Sequence, residues 1–219
     1  MNQKEMRLLC CCICQSSCQP YWQDRKRDYW RCKHCGCVQV PEQFRLSDSA
    51  EKAEYDKHEN APQDAGYLRF LNRAAQPLID RLSAPAHGLD FGCGPGPALQ
   101  VLLEGAGHKV ELYDKYYRAD EEVWLHSYDF ITLTEVAEHL ADPRSVLDLL
   151  WHHIRPGGWL LIMTKRVRDL EAFKTWHYKN DPTHITFFHW STFEHLAGCW
   201  QTCAESVADD VVMFRKPAQ

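Results

Sequence analysis

A glycine-rich turn near the middle of the chain constrains the fold more than any other feature. The stretch 89–97, LDFGCGPGP, runs from a buried-looking tripeptide into three glycines at alternate positions. Glycines at this spacing allow bare backbone to approach a ligand closely at the end of a buried strand. A dinucleotide-binding turn of the G-x-G-x-x-G type would need glycine where this chain has Pro97. The turn therefore favours an α/β fold and argues against an NAD-dependent enzyme.

Strand and helix signals alternate on both sides of this turn. Only 13 residues lie between Asp114 and Tyr128, too few for a full helix and strand with their loops, so we expect an abbreviated unit around Glu122–Leu125. The alternation predicts a parallel sheet with crossover helices on both faces. The predicted strands are 87–91, 108–114, 128–134, 159–165, 201–205 and 211–215, and the predicted helices are 97–104, 143–154 and 191–196.

Acidic residues stand at two predicted strand ends near the glycines. Asp90 begins the pattern D-x-G-x-G-x-G, and Asp114 closes the next strand. With this pattern, and with the turn Arg155–Gly158 before a later strand, the chain resembles the class I S-adenosylmethionine-dependent methyltransferases over about 84–215. The resemblance implies a Rossmann-like sheet that binds S-adenosylmethionine at the carboxyl ends of its strands.

The resemblance also assigns cofactor contacts. Asp114 is expected to accept hydrogen bonds from both ribose hydroxyls, and the glycines to admit the ribose and amino-acid portions. Cys93 lies between glycines and is expected to pack as a small apolar residue rather than to act as a nucleophile. The expected cofactor-binding residues are Asp90, Gly92, Cys93, Gly94, Gly96, Asp114, Thr134 and Glu135.

The stretch TEVAEHL follows the strand 128–134. If a helical turn begins after Thr134, then Glu135, Glu138 and His139 occupy positions i, i+3 and i+4 on one face. The order E-x-x-E-H resembles the metal-binding stretch of ubiquinone-pathway O-methyltransferases and small-RNA 3′-end methyltransferases, which implies Mg²⁺, Mn²⁺ or Zn²⁺. We expect His184 to complete the set, from the aromatic-rich segment 176–190 that also holds His177, Asp181 and His189.

Three roles remain open for these residues. An ion held by Glu135, Glu138, His139 and His184 would lower the pKa of an acceptor hydroxyl. Alternatively, His184 or His139 acts directly as a general base. The acids can also cap the next helix or contact the methionine amino group. We take His184, His139 and Glu138 as the candidate catalytic residues, with segment 176–190 covering the acceptor.

The N-terminal part of the chain is rich in cysteine. Eight of the 11 cysteines fall in 10–37, and two C-x-x-C pairs are separated by 17 residues, a spacing typical of a zinc ribbon. A unit of this size relies on bound metal for its folding energy. The predicted structural zinc ligands are Cys11, Cys14, Cys32 and Cys35, while Cys10, Cys12, Cys18 and Cys37 are surplus, with Cys12 and Cys18 as competitors.

These observations divide the chain into a zinc-ribbon-like segment at 1–45, a helical connector at 46–83 and a methyltransferase domain at 84–219. In the connector, Pro62 is expected to end a polar stretch ahead of an amphipathic helix. Residues 21–31, YWQDRKRDYWR, mix cations with aromatic rings that can stack on RNA bases. Contact of the ribbon with RNA or protein is therefore one hypothesis, although a net charge of −5 gives nucleic acid no general attraction.

The sequence contains no apolar run long enough to span a bilayer and no signal-peptide pattern at its start. We expect a cytoplasmic protein without a membrane partner. The predicted activity is methyl transfer from S-adenosylmethionine to an oxygen or nitrogen atom of a small molecule or RNA. The alternative is a module that senses S-adenosylmethionine, or binds a partner through the ribbon, without turnover.

Overall fold

The structure is a computed structural model that describes residues 9–57, 64–83 and 85–218. The predicted break at Pro62 and the predicted domain start at residue 84 lie outside the described residues. The strands are β1 (Cys18–Gln23), β2 (Asp28–Cys32), β3 (Val38–Gln39), β4 (His87–Phe91), β5 (Lys109–Tyr113), β6 (Tyr128–Thr134), β7 (Ile154–Met163), β8 (Thr186–Phe187), β9 (Ala204–Ala208) and β10 (Val211–Arg215).

Among the described residues, six α-helices connect and flank these strands. They are α1 (Asp48–Tyr55), α2 (Ala65–Ile79), α3 (Ala98–Gly105), α4 (Pro143–His153), α5 (Leu170–Thr175) and α6 (Trp190–Cys199). Short 3₁₀ turns cover Glu42–Phe44, Glu121–Leu125, Ala137–His139 and His177–Asn180. Within the described part of the chain, no helix is long and apolar enough to cross a membrane.

The central sheet has six strands in the order β5-β4-β6-β7-β10-β9. Its first four strands are parallel, as predicted, but β10 runs antiparallel to both β7 and β9. The predicted parallel sheet is therefore mixed, because β10 breaks the parallel order at this edge. Only Asp209 and Asp210 join β9 to β10, and so short a connection permits only an antiparallel pair.

Helices cover both faces of the central sheet, as predicted. Alternate residues of β7 point to opposite sides: Leu160 and Ile162 pack with α4 and α6, whereas Leu161 and Met163 pack with α2 and α3. Alternation every two residues is typical of an extended strand. Because β7 is buried on both faces, its sequence is a continuous run of apolar residues. The Rossmann-like α/β architecture is confirmed, with a mixed sheet.

Of two local predictions, the short unit between β5 and β6 is confirmed and the turn at 155–158 is wrong. The abbreviated unit between β5 and β6 is confirmed as the 3₁₀ turn Glu121–Leu125. The stretch Arg155–Gly158 is not a turn ahead of the strand but an irregular part of β7, where the pairing with β6 shifts register. Gly157 has a φ of +80°, and a Cβ on Gly158 would lie 2.7 Å from the Asp129 carbonyl oxygen. The glycines therefore serve a bulge at which two strands approach closely.

A second, smaller sheet has the order β1-β2-β3-β8 and is antiparallel. Its first three strands belong to residues 9–45, which we call the cysteine segment. The fourth strand comes from residues 176–190, which we call the cover segment, through the pairs Val38↔Phe187 and Gln39↔Thr186. The two segments therefore share one sheet, although they lie at opposite ends of the sequence.

Candidate functional site

The glycine turn lies at the carboxyl end of β4. Gly92 and Gly94 have φ values of +78° and +65°, in the left-handed region that favours glycine. The N–H groups of Gly92 and Cys93 donate to the Tyr113 carbonyl oxygen at 2.7 and 3.2 Å, which fastens the turn to the end of β5. A Cβ on Gly92 would lie 2.4 Å from Cγ2 of Val136, so a side chain does not fit there.

Asp114 lies directly beside this turn and is nearly buried. Its Oδ2 accepts a hydrogen bond from the Gly94 N–H at 3.0 Å, and its Oδ1 accepts from the N–H groups of Tyr116 and Tyr117 at 2.8 and 3.1 Å. The carboxylate therefore orders both the glycine turn and the turn after β5. Because each carboxylate oxygen can accept two hydrogen bonds, Oδ2 retains capacity for a ligand hydroxyl. Its contact with ribose remains a prediction.

Asp90 and Cys93 are the two titratable groups of the strand end and turn. Asp90 is 2% exposed and accepts a hydrogen bond from the Thr132 hydroxyl at 2.8 Å. Burial raises the pKa of Asp90 to about 6, and the Asp114 charge adds to the shift. Burial also raises the pKa of the Cys93 thiol to about 12, which keeps it protonated. A protonated thiol agrees with the prediction that Cys93 is not a nucleophile.

The prediction that a helical turn begins after Thr134 is wrong. Glu135 has a φ of +55°, and the 3₁₀ turn begins only at Ala137. The reason is that the Glu135 N–H still donates to the Met163 carbonyl oxygen, at 2.8 Å, and so continues the β6–β7 ladder. Glu135, Glu138 and His139 therefore do not share one helix face.

Glu138, His139 and His184 nevertheless come together, and we call them the carboxylate–imidazole cluster. One ligand atom of each lies within 4.8 Å of the others, and the two imidazole rings are 4.7 Å apart. The cover segment supplies His184, and the Ile185 N–H next to it donates to the Glu138 carbonyl oxygen at 2.9 Å. Glu135 is not in this group, so only three of the four predicted ion ligands are assembled.

Backbone carbonyls orient both imidazoles. Nδ1 of His139 lies 3.2 Å from the Thr183 carbonyl oxygen, and Nδ1 of His184 lies 2.7 Å from that of Tyr178. Because a carbonyl only accepts, each neutral ring carries its proton on Nδ1 and its lone pair on Nε2. Burial lowers the pKa of His184, which favours the neutral ring. The geometry therefore presents Nε2 as a base or a metal ligand.

Two carboxylate oxygens at this site are buried without hydrogen-bond partners. They are Oε2 of Glu138 and Oε1 of Glu135, for which residues 9–57, 64–83 and 85–218 provide no partner. Burial raises the pKa of both acids, to about 8 for Glu135, where the Glu138 charge adds to the shift. A buried acceptor without a donor is unfavourable, so these oxygens favour a cation or a proton at the site.

Two tyrosines complete the site. The motifs in the sequence indicate neither of them. The Tyr178 hydroxyl donates to Oε1 of Glu138, and the Tyr178 ring packs 4.1 Å from that of His184. The Tyr55 ring, from α1, packs edge-on against His139 at 5.2 Å. Tyr178 had a weak signal in the aromatic composition of the cover segment. Tyr55 had none, because it lies in a connector that reads as a charged, solvated helix.

The four predicted zinc ligands converge within the cysteine segment. Their sulfur atoms lie within 4.8 Å of one another, with Sγ–Sγ distances of 3.5 Å for Cys11 and Cys35 and 3.4 Å for Cys14 and Cys32. A tetrahedral site with zinc–sulfur bonds of about 2.3 Å needs roughly 3.8 Å between sulfurs. Gln15 and Gly36 have φ values of +60° and +75°, as sharp turns after each pair require. The competing Cys12 and Cys18 are not part of this group.

Two side chains of the patch at 21–31 are buried inside the protein. Arg27 and Tyr29 are 6% and 1% exposed, and Tyr21 packs against Phe173 at a ring distance of 5.2 Å. Arg27 and Tyr29 are therefore not open for stacking on RNA, and Tyr21 is partly buried. The prediction of an RNA-binding face fails for them because tertiary contacts with the cover segment and α5 occupy them.

Comparisons with known proteins agree with this architecture. A family model described as a methyltransferase domain matches residues 67–198. A ubiquinone biosynthesis O-methyltransferase from Shewanella sp. (strain ANA-3) is 29% identical over 42% of this chain and 39% of its own length. A trans-aconitate 2-methyltransferase from Azoarcus sp. (strain BH72) is 31% identical over 48% of this chain and 51% of its own length. The chain thus spans about half or less of these curated relatives.

Solved structures share the fold at low sequence identity. A Burkholderia thailandensis 1,6-didemethyltoxoflavin-N1-methyltransferase, with bound 1,6-didemethyltoxoflavin and S-adenosylhomocysteine, matches with a TM-score of 0.55 and 16% identity. The match covers 91% of this chain and 99% of that one. A SAM-dependent methyltransferase from Archaeoglobus fulgidus matches with a TM-score of 0.50 and 14% identity, over 68% of this chain and 99% of that one.

Proposed function

The chain belongs to the methyltransferase domain family. On this premise we propose that it is an S-adenosylmethionine-dependent methyltransferase and that it methylates a hydroxyl oxygen of a small molecule. The observation that carries the proposal is the carboxylate–imidazole cluster, in which a buried, neutral His184 presents Nε2 beside Glu138 and His139. A hydroxyl acceptor must lose its proton during transfer, and a neutral imidazole is suited to take it.

The proposed reaction is a single displacement. The acceptor oxygen attacks the methyl carbon in line with the sulfonium, so a C–O bond forms as the S–CH₃ bond breaks. The hydroxyl proton moves to Nε2 of His184, and S-adenosylhomocysteine leaves as a neutral thioether. Because the sulfonium is already a good leaving group, the protein mainly aligns the two reactants and accepts the proton.

We assign the methyl donor to the glycine turn. Gly92, Gly94 and Gly96 would admit the donor against the backbone, Asp114 would bind ribose, and Asp90, Thr134 and Glu135 would line the same strand ends. This assignment is supported by the left-handed turn and by the Gly94–Asp114 hydrogen bond described above. Cys93 would contribute its backbone to the turn, since its thiol remains protonated.

A divalent ion fits the carboxylate–imidazole cluster. The cluster offers one carboxylate oxygen and two imidazole nitrogens, a donor set that suits Mn²⁺ or Zn²⁺ better than Mg²⁺. The buried Oε2 of Glu138, which lacks a donor among the described residues, supports the same assignment. Such an ion would lower the pKa of the acceptor hydroxyl. In this alternative, Nε2 of His184 would bind the ion together with Glu138 and His139, and His184 would not be the base that takes the proton.

We also propose that Zn²⁺ is bound by Cys11, Cys14, Cys32 and Cys35 in a structural role. Four thiolates leave no open position for a substrate, which argues against catalysis there. The proposal is supported by the convergence of the four sulfur atoms and by the left-handed turn after each pair. Residues 1–45 would then form a zinc-ribbon-like unit ahead of a connector at 46–83 and a catalytic domain at 84–219.

A small molecule is the better acceptor candidate than RNA. The two curated relatives described above carry the names of small-molecule methyltransferases. The chain has a net charge of −5, and its most RNA-like patch has Arg27 and Tyr29 buried. A negative charge opposes association with a polyanion, because nucleic-acid binding depends mainly on cation–phosphate contacts.

The test is an acceptor screen with two readouts. Purified protein is first titrated with S-adenosylhomocysteine by calorimetry, and then incubated with S-adenosylmethionine and a panel of phenols, catechols, hydroxy acids and short RNAs. We expect a binding signal and S-adenosylhomocysteine production with a hydroxyl compound. His184→Gln should retain binding and lose about 10²-fold or more in turnover, whereas His152→Gln, an exposed control, should lose neither. Binding without product from any compound would favour the sensor alternative.

A further inference from the structure

The cover segment lies between the 3₁₀ turn Ala137–His139 and the cysteine segment. The Ile185 N–H donates to the Glu138 carbonyl oxygen, and the Ile185 carbonyl accepts from the Val40 N–H, both at 2.9 Å. The next two residues, Thr186 and Phe187, pair with β3. His184 thus immediately precedes a three-residue stretch whose backbone is bound to the cysteine segment on one side.

Arg27 from the cysteine segment makes the second connection. Its side chain is 6% exposed, and its guanidinium has five N–H donors with five acceptors. Nε–H donates to the Tyr29 hydroxyl at 3.1 Å, and Nη1 donates to the carbonyls of Pro182 and His184 at 3.2 and 3.0 Å. Nη2 donates to the carbonyls of Lys179 and Asp181. Four of the five acceptors are thus backbone carbonyls of one loop, 179–184.

Neighbouring groups support this arrangement. The Tyr29 hydroxyl donates to Oδ2 of Asp24 at 2.9 Å, and the Lys179 ammonium lies 3.5 Å from the same oxygen. The Asp24 Oδ1 accepts from the backbone N–H groups of Lys26 and Arg27 at 2.8 and 3.0 Å. The guanidinium therefore enters the loop from a turn that is itself ordered.

We propose that Arg27 is a positioning residue for methyl transfer, which holds the loop 179–184 so that the His184 imidazole faces Glu138 and His139. This inference rests on the proposed function of His184. The connection is direct, because the His184 carbonyl accepts from Nη1 of Arg27 while its ring nitrogen Nδ1 donates to the carbonyl of Tyr178, the residue just before the loop. The cysteine segment thereby contributes to the active site without touching the reacting atoms.

Lysine cannot replace arginine in this role. An ammonium is a single point with three donors, whereas the planar guanidinium reaches carbonyls on two sides at once. In Arg27→Lys at least two of the five acceptors lose their donor, and the loop carbonyls become free to turn outward. A displacement of about 1 Å in a catalytic group can cost roughly 10²-fold in rate.

The experiment compares amide hydrogen exchange at 183–185 in the full-length wild type and in Arg27→Lys, with zinc content and S-adenosylhomocysteine affinity measured on the same samples. We expect exchange at these amides to accelerate by at least tenfold, while zinc content and cofactor affinity stay at wild-type values. With the best acceptor from the screen, kcat should fall about 10²-fold and KM should change little. Arg25→Lys, an exposed control in the same turn, should change none of these.

Two further variants keep the test decisive. Tyr29→Phe removes the acceptor of Nε–H and the hydrogen bond from the Tyr29 hydroxyl to Asp24, but it leaves the four carbonyl contacts of Arg27. It should therefore keep the fold and give a smaller acceleration of exchange. In Arg27→Ala, millimolar guanidinium ion should restore part of the lost turnover, which a general loss of stability would not allow. The same ion should not restore turnover to His184→Gln.

The outcomes separate this inference from the proposed function. Wild-type exchange at 183–185 together with wild-type kcat in Arg27→Lys would overturn the positioning role. Wild-type kcat in His184→Gln would overturn the role of His184 in methyl transfer, and the exchange rates would then still decide whether Arg27 holds the loop.

Discussion

Gly92 is the residue at which the glycine turn after β4 meets the turn after β6. Its φ of +78° is strained for any other residue, and a Cβ would lie 2.4 Å from Val136. We predict that Gly92→Ala displaces the Val136 turn, lowers the free energy of unfolding by about 1–3 kcal/mol, and weakens S-adenosylhomocysteine binding at least tenfold. Calorimetry and urea unfolding measure both effects.

Gly105→Ala is the matched control for that variant. A Cβ at Gly105 would meet no atom within 4 Å, at the last residue of α3. Alanine favours a helix over glycine by up to about 1 kcal/mol, so this substitution should leave binding unchanged and stability equal or slightly higher. Equal losses in both variants would contradict the role assigned to the Gly92 turn.

Asp90 should leave a signature in the pH dependence of stability. Burial raises its pKa to about 6, so between about pH 4 and 6 the native state holds a proton that the unfolded state has lost. The contribution of Asp90 to the free energy of unfolding is therefore highest below pH 4. It falls by an amount on the order of 3 kcal/mol as the pH rises to 6. In Asp90→Asn this fall should be absent.

The measurement for Asp90 is urea unfolding of both proteins at intervals from pH 4 to 8. Asn retains an oxygen for the Thr132 hydroxyl, which donates to Asp90 at 2.8 Å, so the variant keeps this contact. The difference in unfolding free energy should increase in favour of Asp90→Asn from low to neutral pH. Parallel curves across the range would show that Asp90 titrates normally.

At the scale of elements, the turn after the second cysteine pair docks on the start of α6. The Cys35 carbonyl accepts from the hydroxyls of Ser191 and Thr192, both at 2.9 Å, and a Cβ on Gly36 would lie 2.6 Å from Oγ of Ser191. We predict that Cys35→Ser reduces bound zinc well below one per chain and lowers the unfolding free energy by roughly 3 kcal/mol or more.

Cys10→Ser is the control for the metal prediction. Cys10 is exposed and is not among the four clustered sulfurs. It should therefore keep one zinc per chain and wild-type stability, as measured by elemental analysis and urea unfolding. A full complement of zinc in Cys35→Ser would mean that a different set of cysteines binds the ion.

The elements differ in how far sequence alone predicts them. The strands β4, β6 and β10 match their predicted bounds, because their apolar patterns are local and lie next to clear turns. Strand β8 has only two residues and no pattern, and its pairing depends on β3 at the other end of the chain. The sequence from Glu135 to His139 predicts one helical turn. In the structure, the hydrogen bonds between β6 and β7 continue to Glu135, so the turn begins only at Ala137.

The residues of the candidate site also differ in how far the sequence alone predicts them. The glycines, Asp114, Glu138 and His139 lie at strand ends, and the topology of a parallel sheet brings strand ends together, so the sequence could predict their proximity. Arg27 and Tyr55 join the site through packing between distant segments, which no local pattern encodes. The sequence indicates Arg27 only as a cation among aromatic residues, whereas its burial against the loop 179–184 depends on tertiary contacts.

At the scale of the whole molecule, the smaller sheet joins the cysteine segment to the cover segment. β3 pairs with β8, Arg27 binds the loop 179–184, and Cys35 binds α6, so unfolding one part removes partners from the other. An independent ribbon would instead lose its metal in a transition of its own. We therefore expect the chain to unfold as one cooperative unit in its zinc-bound state.

Zinc release and far-ultraviolet circular dichroism should accordingly follow the same urea transition. S-adenosylhomocysteine at about 100 times its dissociation constant stabilises the native state by about 2.7 kcal/mol. This ligand should move both midpoints together, although its proposed site is only the glycine turn. In Arg27→Lys, with one connection removed, the zinc-release midpoint should fall further than the circular dichroism midpoint. Two separate transitions in the wild type, with only one displaced by the ligand, would mean that the shared strand does not couple the two units.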